Sequence, residues 1–138
     1  AEGRYLDFGS VRRFEGGVVA MRASSSDAVR EELNQKGDGR VLVVDATGVD
    51  GAIVGYRSAH LAHQNGWSGI VVEGFVRDAR DLRHVGIGVK AIGTMPRRAT
   101  GTFPPERAAT LGGLTVSSGE YLYADEDGIV VTARPVKQ

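Results

Sequence analysis

The sequence predicts an α/β fold: a three-layer domain with parallel central strands and an additional β layer. Three observations carry this. Short apolar runs rich in β-branched residues, Arg40–Asp45 and Ile70–Val72, read as strands covered on both faces. Segments with helical spacing lie between such strands, which implies crossover connections between parallel neighbours. After residue 112 the pattern changes to short strands separated by turns.

In chain order, Gly16–Arg22 is the first strand, and Ser24–Asp27 offers N-caps for a helix through Ala28–Leu33, which Gly37 ends. Arg40–Asp45 is the second strand, followed by the turn-rich Ala46–Gly51. The segment Ala52–Gln64 is expected to be helical, with Gly66 as its C-cap. Ile70–Val72 follows as a buried strand. A short helix around Ala79–His84 leads to the strand Val89–Gly93, and Gly113–Ser117, Tyr121–Tyr123 and Gly128–Ala133 form the β-rich closing layer.

The chain has 138 residues, enough for one domain with a substantial core. Lys plus Arg and Asp plus Glu each total 17, so the sequence has no global basic field. No direct nucleic-acid partner is expected, and an effect on RNA would act through a protein partner or a local patch. With no cysteine, the chain lacks disulfides, thiolate metal sites and cysteine nucleophiles. The longest apolar runs fall far short of a membrane span, and the first eight residues have no secretory apolar core. A cytoplasmic protein without a membrane partner is expected.

The richest stretch runs from Asn65 to Asp81. Arg77 and Asp78 leave a buried strand at its carboxyl end, where open α/β sheets usually place ligands. Arginine grips a carboxylate through two parallel hydrogen bonds, and aspartate holds a hard divalent cation through oxygen. The same pair also reads as a surface ion pair, with Asp78 capping the helix that follows.

Other candidates are weaker. His60 and His63 have a spacing acceptable for metal ligands but no third ligand nearby, so they read as part of a polar helix face. Asp125–Gly128 lacks calcium-loop spacing and reads as a hairpin turn. Asp45–Gly51 does not match the dinucleotide glycine fingerprint and reads as a tight turn. There is no glycine-flanked serine elbow.

Five segments, Gly39–Asp45, Gln64–Trp67, Gly74–Asp78, Ile87–Thr94 and Tyr123–Ile129, together resemble the family of the regulator of ribonuclease activity A. That family also includes metal-dependent hydroxy-methyl-oxoglutarate aldolases. The resemblance covers nearly the whole chain and implies a swivelling β/β/α domain in a homotrimeric ring, sometimes paired into hexamers, with sites at subunit boundaries. Members usually begin with a further short helical segment, so the amino terminus is expected to be trimmed or naturally short. Old annotation of the family as a menaquinone-pathway methyltransferase finds no support in the turn after Asp45.

In the aldolase branch the Arg-Asp pair is the signature. By that resemblance Arg77 binds a pyruvate-type carboxylate, Asp78 holds magnesium or manganese, and Asp81 fills the acidic position three beyond. Gly55, Tyr56, Arg57 and Ser58 correspond to a loop whose amides touch the substrate, a small oxo-acid such as pyruvate or oxaloacetate. The branch has an acid at the position of Tyr56, twenty-one before Arg77. Tyrosine, with an ordinary pKa of about 10, is a poor base at neutral pH. The resemblance therefore implies a trimeric regulator that binds and inhibits a ribonuclease, with a residual metal and carboxylate site. The alternative is a divalent-metal-dependent 4-hydroxy-4-methyl-2-oxoglutarate aldolase or oxaloacetate decarboxylase that releases pyruvate.

Light scattering is expected to show a trimer or a multiple of it; a monodisperse monomer at micromolar concentration would count against the ring.

Overall fold

A computed structural model describes residues 4–136. Strand β1 (Leu6–Asp7) is followed by the long β2 (Phe14–Arg22), then α1 (Ser26–Leu33), β3 (Val41–Asp45) and β4 (Ala52–Val54). Next come α2 (Tyr56–Gln64), β5 (Gly69–Val76), α3 (Ala79–Leu82) and β6 (Gly88–Thr94). The remainder is strand: β7 (Ala109–Leu111), β8 (Leu114–Val116), β9 (Tyr121–Asp125) and β10 (Gly128–Thr132).

Eight strands form one sheet in the order β1-β6-β5-β3-β2-β9-β10, with β4 beside β5, and β7 and β8 form a separate pair. The central pairings β2–β3, β3–β5 and β5–β6 are parallel, whereas β1 and β9 join antiparallel. The three-layer α/β architecture with parallel central strands is as the sequence predicts. Alternation along each strand sorts the core. Leu42, Val44, Ile70 and Val72 pack beneath α1 and α2 with Val29, Leu33, Ala59 and Ala62. Val41, Val43 and Val71 face the other way, against Leu111, Val116 and Leu122.

One expected element differs. Ala52–Gln64 is not a single helix: Ala52–Val54 pairs with β5, and α2 starts only at Tyr56. The short apolar triplet is buried on both faces, and its partner strand supplies hydrogen bonds that a helix would otherwise make internally. Strand β5 also extends beyond Ile70–Val72, with a register shift against β6 between Val72 and Phe75. At Gly69 and Gly88, an added Cβ would run into the Phe14 ring, so the sheet accepts that ring only where side chains are missing.

Buried carboxylates hold the second β layer. Asp45 and Glu73 are register partners on β3 and β5. The Thr110 N–H donates to Asp45 Oδ2 at 3.1 Å, and the Gly112 N–H to Glu73 Oε1 at 3.1 Å, so the middle of β7 and the turn after it are tied to the sheet. Tyr5 donates its hydroxyl to Glu73 Oε1, and Arg4 pairs with Oε2 at 2.9 Å. Burial first, then the Glu73 carboxylate, push the Tyr5 phenol far above its usual range.

Trp67 closes the helix layer. Its indole N–H donates to the Leu33 and Gln35 carbonyls at 3.2 and 3.0 Å, satisfying acceptors at the carboxyl end of α1. The Arg40 guanidinium covers the ring at 5.2 Å. No helix among the described residues is long and apolar enough to cross a membrane. Trp67→Ala would remove a buried aromatic and strip the Gln35 carbonyl of its indole donor, while the Asn65 side-chain amide still donates to the Leu33 carbonyl at 3.0 Å. It is expected to cost roughly 3 kcal/mol or more in chemical denaturation; unchanged stability would refute this account of the ring.

Candidate functional site

The site forms where β4 and β5 end side by side. Strand β5 stops at Val76, and the Arg77 N–H donates to the Val54 carbonyl at 2.9 Å, which holds the chain against the end of β4. Asp78 then adopts a left-handed conformation, φ 64° and ψ 40°, which few residues other than glycine enter and which asparagine and aspartate tolerate best among them. The kink turns the chain into α3, whose Asp81 and Leu82 N–H groups donate to the Asp78 carbonyl at 2.9 Å each.

The side chain of Asp78 does not cap its own helix and forms no ion pair with Arg77. Asp78 does occupy the N-cap position of α3, as the sequence suggests, but without a side-chain bond, and the ion-pair reading is corrected. Instead, Asp78 Oδ2 accepts a hydrogen bond from the Tyr56 N–H at 3.0 Å, across 22 residues of sequence. Gly55 is the N-cap of α2 and offers no side chain. A helix N-terminus carries orphan donors and a partial positive charge, and a carboxylate brought from outside satisfies both. Gly55 is needed for that approach: a Cβ there would lie 2.9 Å from Asp78 Oδ2 and 3.0 Å from Arg77 Nε.

Gly55, Tyr56, Arg77 and Asp78 therefore meet in one place, although the segment Gly55–Ser58 is the N-cap and first turn of a helix and not an open loop. Tyr56 is exposed and stacks on His60 at 5.7 Å between ring centroids, its hydroxyl carried outward along α2. Arg57 and Asp81 are exposed. Ser58 differs: its side chain is buried, and its hydroxyl accepts from Arg30 Nε of α1 at 3.4 Å. Only its backbone amide belongs to the first turn. Arg77 is partly buried, its stem against Gly55, which limits the directions its guanidinium can take.

The weaker sequence candidates have structural explanations. His63 packs over Gly86, and His60 stacks on Tyr56. Asp45 turns its carboxylate to the Thr47 hydroxyl and amide and to Thr110. Asp125 Oδ1 accepts from the Asp127 and Gly128 amides within the β9–β10 hairpin, at 2.9 and 3.2 Å. Sequence reading missed Glu73, whose clearest signal was an acidic residue inside an apolar strand.

Fold and site together define a three-layer α/β domain that presents an arginine and an aspartate at a strand end against a helix N-terminus. The chain belongs to the RraA-like family, described as Aldolase/RraA, whose sequence profile matches residues 4–131. An Alkalilimnicola ehrlichii protein with the provisional name 4-hydroxy-4-methyl-2-oxoglutarate aldolase is 42% identical over 97% of this chain and 86% of its own length. A Thermus thermophilis structure described as the RNA-processing inhibitor RraA superposes with a TM-score of 0.94 at 34% identity, covering 99% of this chain and 86% of the other. A Streptomyces coelicolor structure, described as an unusual member of the RNase ES inhibitor RraA protein family, gives 0.75 at 26% identity, over 93% and 70%.

Removing the cross-chain cap tests the geometry. Asp78→Ala is expected to destabilise the fold by about 1–2 kcal/mol, because it strips the acceptor from α2 and leaves the left-handed kink. Asp78→Gly should cost less, since glycine relieves the backbone strain. Equal losses in thermal denaturation would show that the kink carries no strain.

Proposed function

We propose that this chain is an RraA-like ring protein that binds and inhibits a ribonuclease, and thereby modulates RNA turnover, while keeping a residual metal and carboxylate site at Arg77 and Asp78. The observation that carries this reading is the composition of the first turn of α2. The scaffold is intact, with Gly55 beneath Arg77 and Asp78, but a phenol stands at the position where cleavage of a carbon–carbon bond would call for an acid. The close superposition on an RNA-processing inhibitor supports it. A regulator requires only a surface of stable shape, which the two-sided core provides.

A second reading, a metal-dependent pyruvate lyase, is favoured by the same Gly55, Arg77 and Asp78 geometry and by the aldolase name of the 42% identical relative. The residues suit a hard cation. Asp78 and Asp81 are exposed carboxylates, and Asp78 Oδ1 makes no protein hydrogen bond among the described residues. Magnesium and manganese bind through as few as one or two carboxylates, with water completing the shell. Such an ion supplies Lewis-acid polarisation of an oxo group. Arg77 would fork onto the carboxylate of pyruvate or oxaloacetate, and the Arg57 and Ser58 amides would face developing negative charge at the helix end. Tyr56 can donate a hydrogen bond but is a poor base.

A pyruvate-release assay with oxaloacetate and hydroxy-methyl-oxoglutarate, with and without chelator and beside Arg77→Ala, decides between the two. The expected result is little or no release, together with retention of a ribonuclease on the immobilised wild-type protein. Release at the rate of an intact aldolase, abolished by chelator and by Arg77→Ala, would make the protein a lyase. Tyr56→Asp is expected to raise any residual rate tenfold or more, equivalent to about 1.4 kcal/mol of transition-state stabilisation.

A further inference from the structure

A cleft of about 370 Å³ opens between the β1–β2 connection and α3. Three arginines line it: Arg12 from the connection, and Arg80 and Arg83 from α3 and its C-cap. Arg80 and Arg83 are three apart, which puts them on one side of the helical turn. All three are exposed, and none forms an ion pair among the described residues. Arg83 donates from Nε to the Arg80 carbonyl at 3.3 Å, which restrains the stem of one guanidinium.

The remaining lining contributes no opposing field. Asp7 is the one carboxylate there, and the buried Lys90 ammonium sits 3.0 Å from its Oδ1. The pair cancels, so the lining keeps three arginines without an ion-pair partner among the described residues, while the exposed Asp81 of α3 stands outside the lining. Phe8, Gly9 and Ala79 complete the lining. Gly9 is buried so closely against the Ile87 carbonyl that no side chain fits, and the Phe8 and Val11 amides on either side are bonded to the Val89 and Ile87 carbonyls. The lining below the arginines is therefore fixed backbone held to β6.

We propose that this cleft binds phosphate-bearing anions. Charge and oxygen count decide the class. A monocarboxylate brings one charge and two oxygens and would leave two of the three guanidiniums unanswered. A phosphate diester run or an oligophosphate brings several charges and oxygens, which forked donors match. The source is either the backbone of RNA, met at a local patch in a chain without a global basic field, or a free phosphorylated metabolite. The RNA source rests on the regulatory reading; phosphate binding itself does not.

Calorimetry at low ionic strength with tripolyphosphate, citrate and a short single-stranded RNA tests it. Tripolyphosphate is expected to bind at least tenfold more tightly than citrate. The triple variant Arg12→Ala, Arg80→Ala, Arg83→Ala should lose at least tenfold in that affinity, with unchanged thermal stability because all three side chains are exposed. Arg97→Ala, which breaks a surface ion pair with Asp50, is the control and should bind as wild type does. RNA binding that weakens with salt and falls in the triple variant supports the RNA source. Tripolyphosphate binding without RNA binding supports the metabolite source and leaves the ribonuclease assay as the separate test of regulation. No tripolyphosphate binding, equal affinity for citrate, or equal loss in Arg97→Ala overturns the proposal.

Discussion

Strand β5 is the constraint on which the remaining structure depends. It pairs with β3, β4 and β6 and is covered on both faces, by helices on one side and by Leu111, Val116 and Leu122 on the other. A strand so enclosed must be apolar almost throughout, because an unpaired polar group there would cost free energy without a water to replace its bonds. The run Gly69–Val72 meets that demand. The strand's end is then one of few places where charged residues can emerge at a fixed position, and Arg77 and Asp78 emerge there. Their precision comes from the rigidity of the strand behind them, a better support than a loop alone provides.

Two polar devices modify this apolar frame. Asp45 and Glu73 sit side by side in register on the face that receives β7; Asp45 accepts an N–H from that small strand and Glu73 one from the turn after it. Buried carboxylates are tolerated only when hydrogen-bonded or paired, and here each is. Their bonds orient the second β layer, which apolar contact alone would leave free to slide. Lys90 and Asp7 act similarly at the sheet edge, tying the short β1 to β6. The positive cleft beside α3 depends on that pairing, since an unneutralised Asp7 would oppose the three arginines.

The candidate site shows how a helix end and a strand end can stabilise one another. The first turn of α2 lacks a side-chain cap of its own because Gly55 precedes it. Asp78 supplies the missing acceptor from another segment, and Gly55 leaves it room. One carboxylate thus carries the structural role, and in the proposed site the same group would also bind. Ligand capture there would engage Asp78 Oδ1 while Oδ2 stays with Tyr56, so the helix need not lose its cap when an ion or oxo-acid arrives.

Much of this was legible in the sequence. Periodicity and β-branched runs set the layers, the central strands and most helix positions, and the sequence alone determined that Arg77 and Asp78 leave a buried strand at its carboxyl end. It misread Ala52–Val54 as helix, because three apolar residues before a helical pattern carry no period of their own and only their pairing with β5 distinguishes them. It could not show that Ser58 turns into the α1–α2 contact, that Asp78 caps a helix 22 residues upstream, or that Arg12 approaches Arg80 and Arg83. Local pattern records which face of an element is apolar. Which elements then meet, and which charges are neutralised when they do, is decided by tertiary packing, because those interactions join residues whose separation along the chain leaves no local trace.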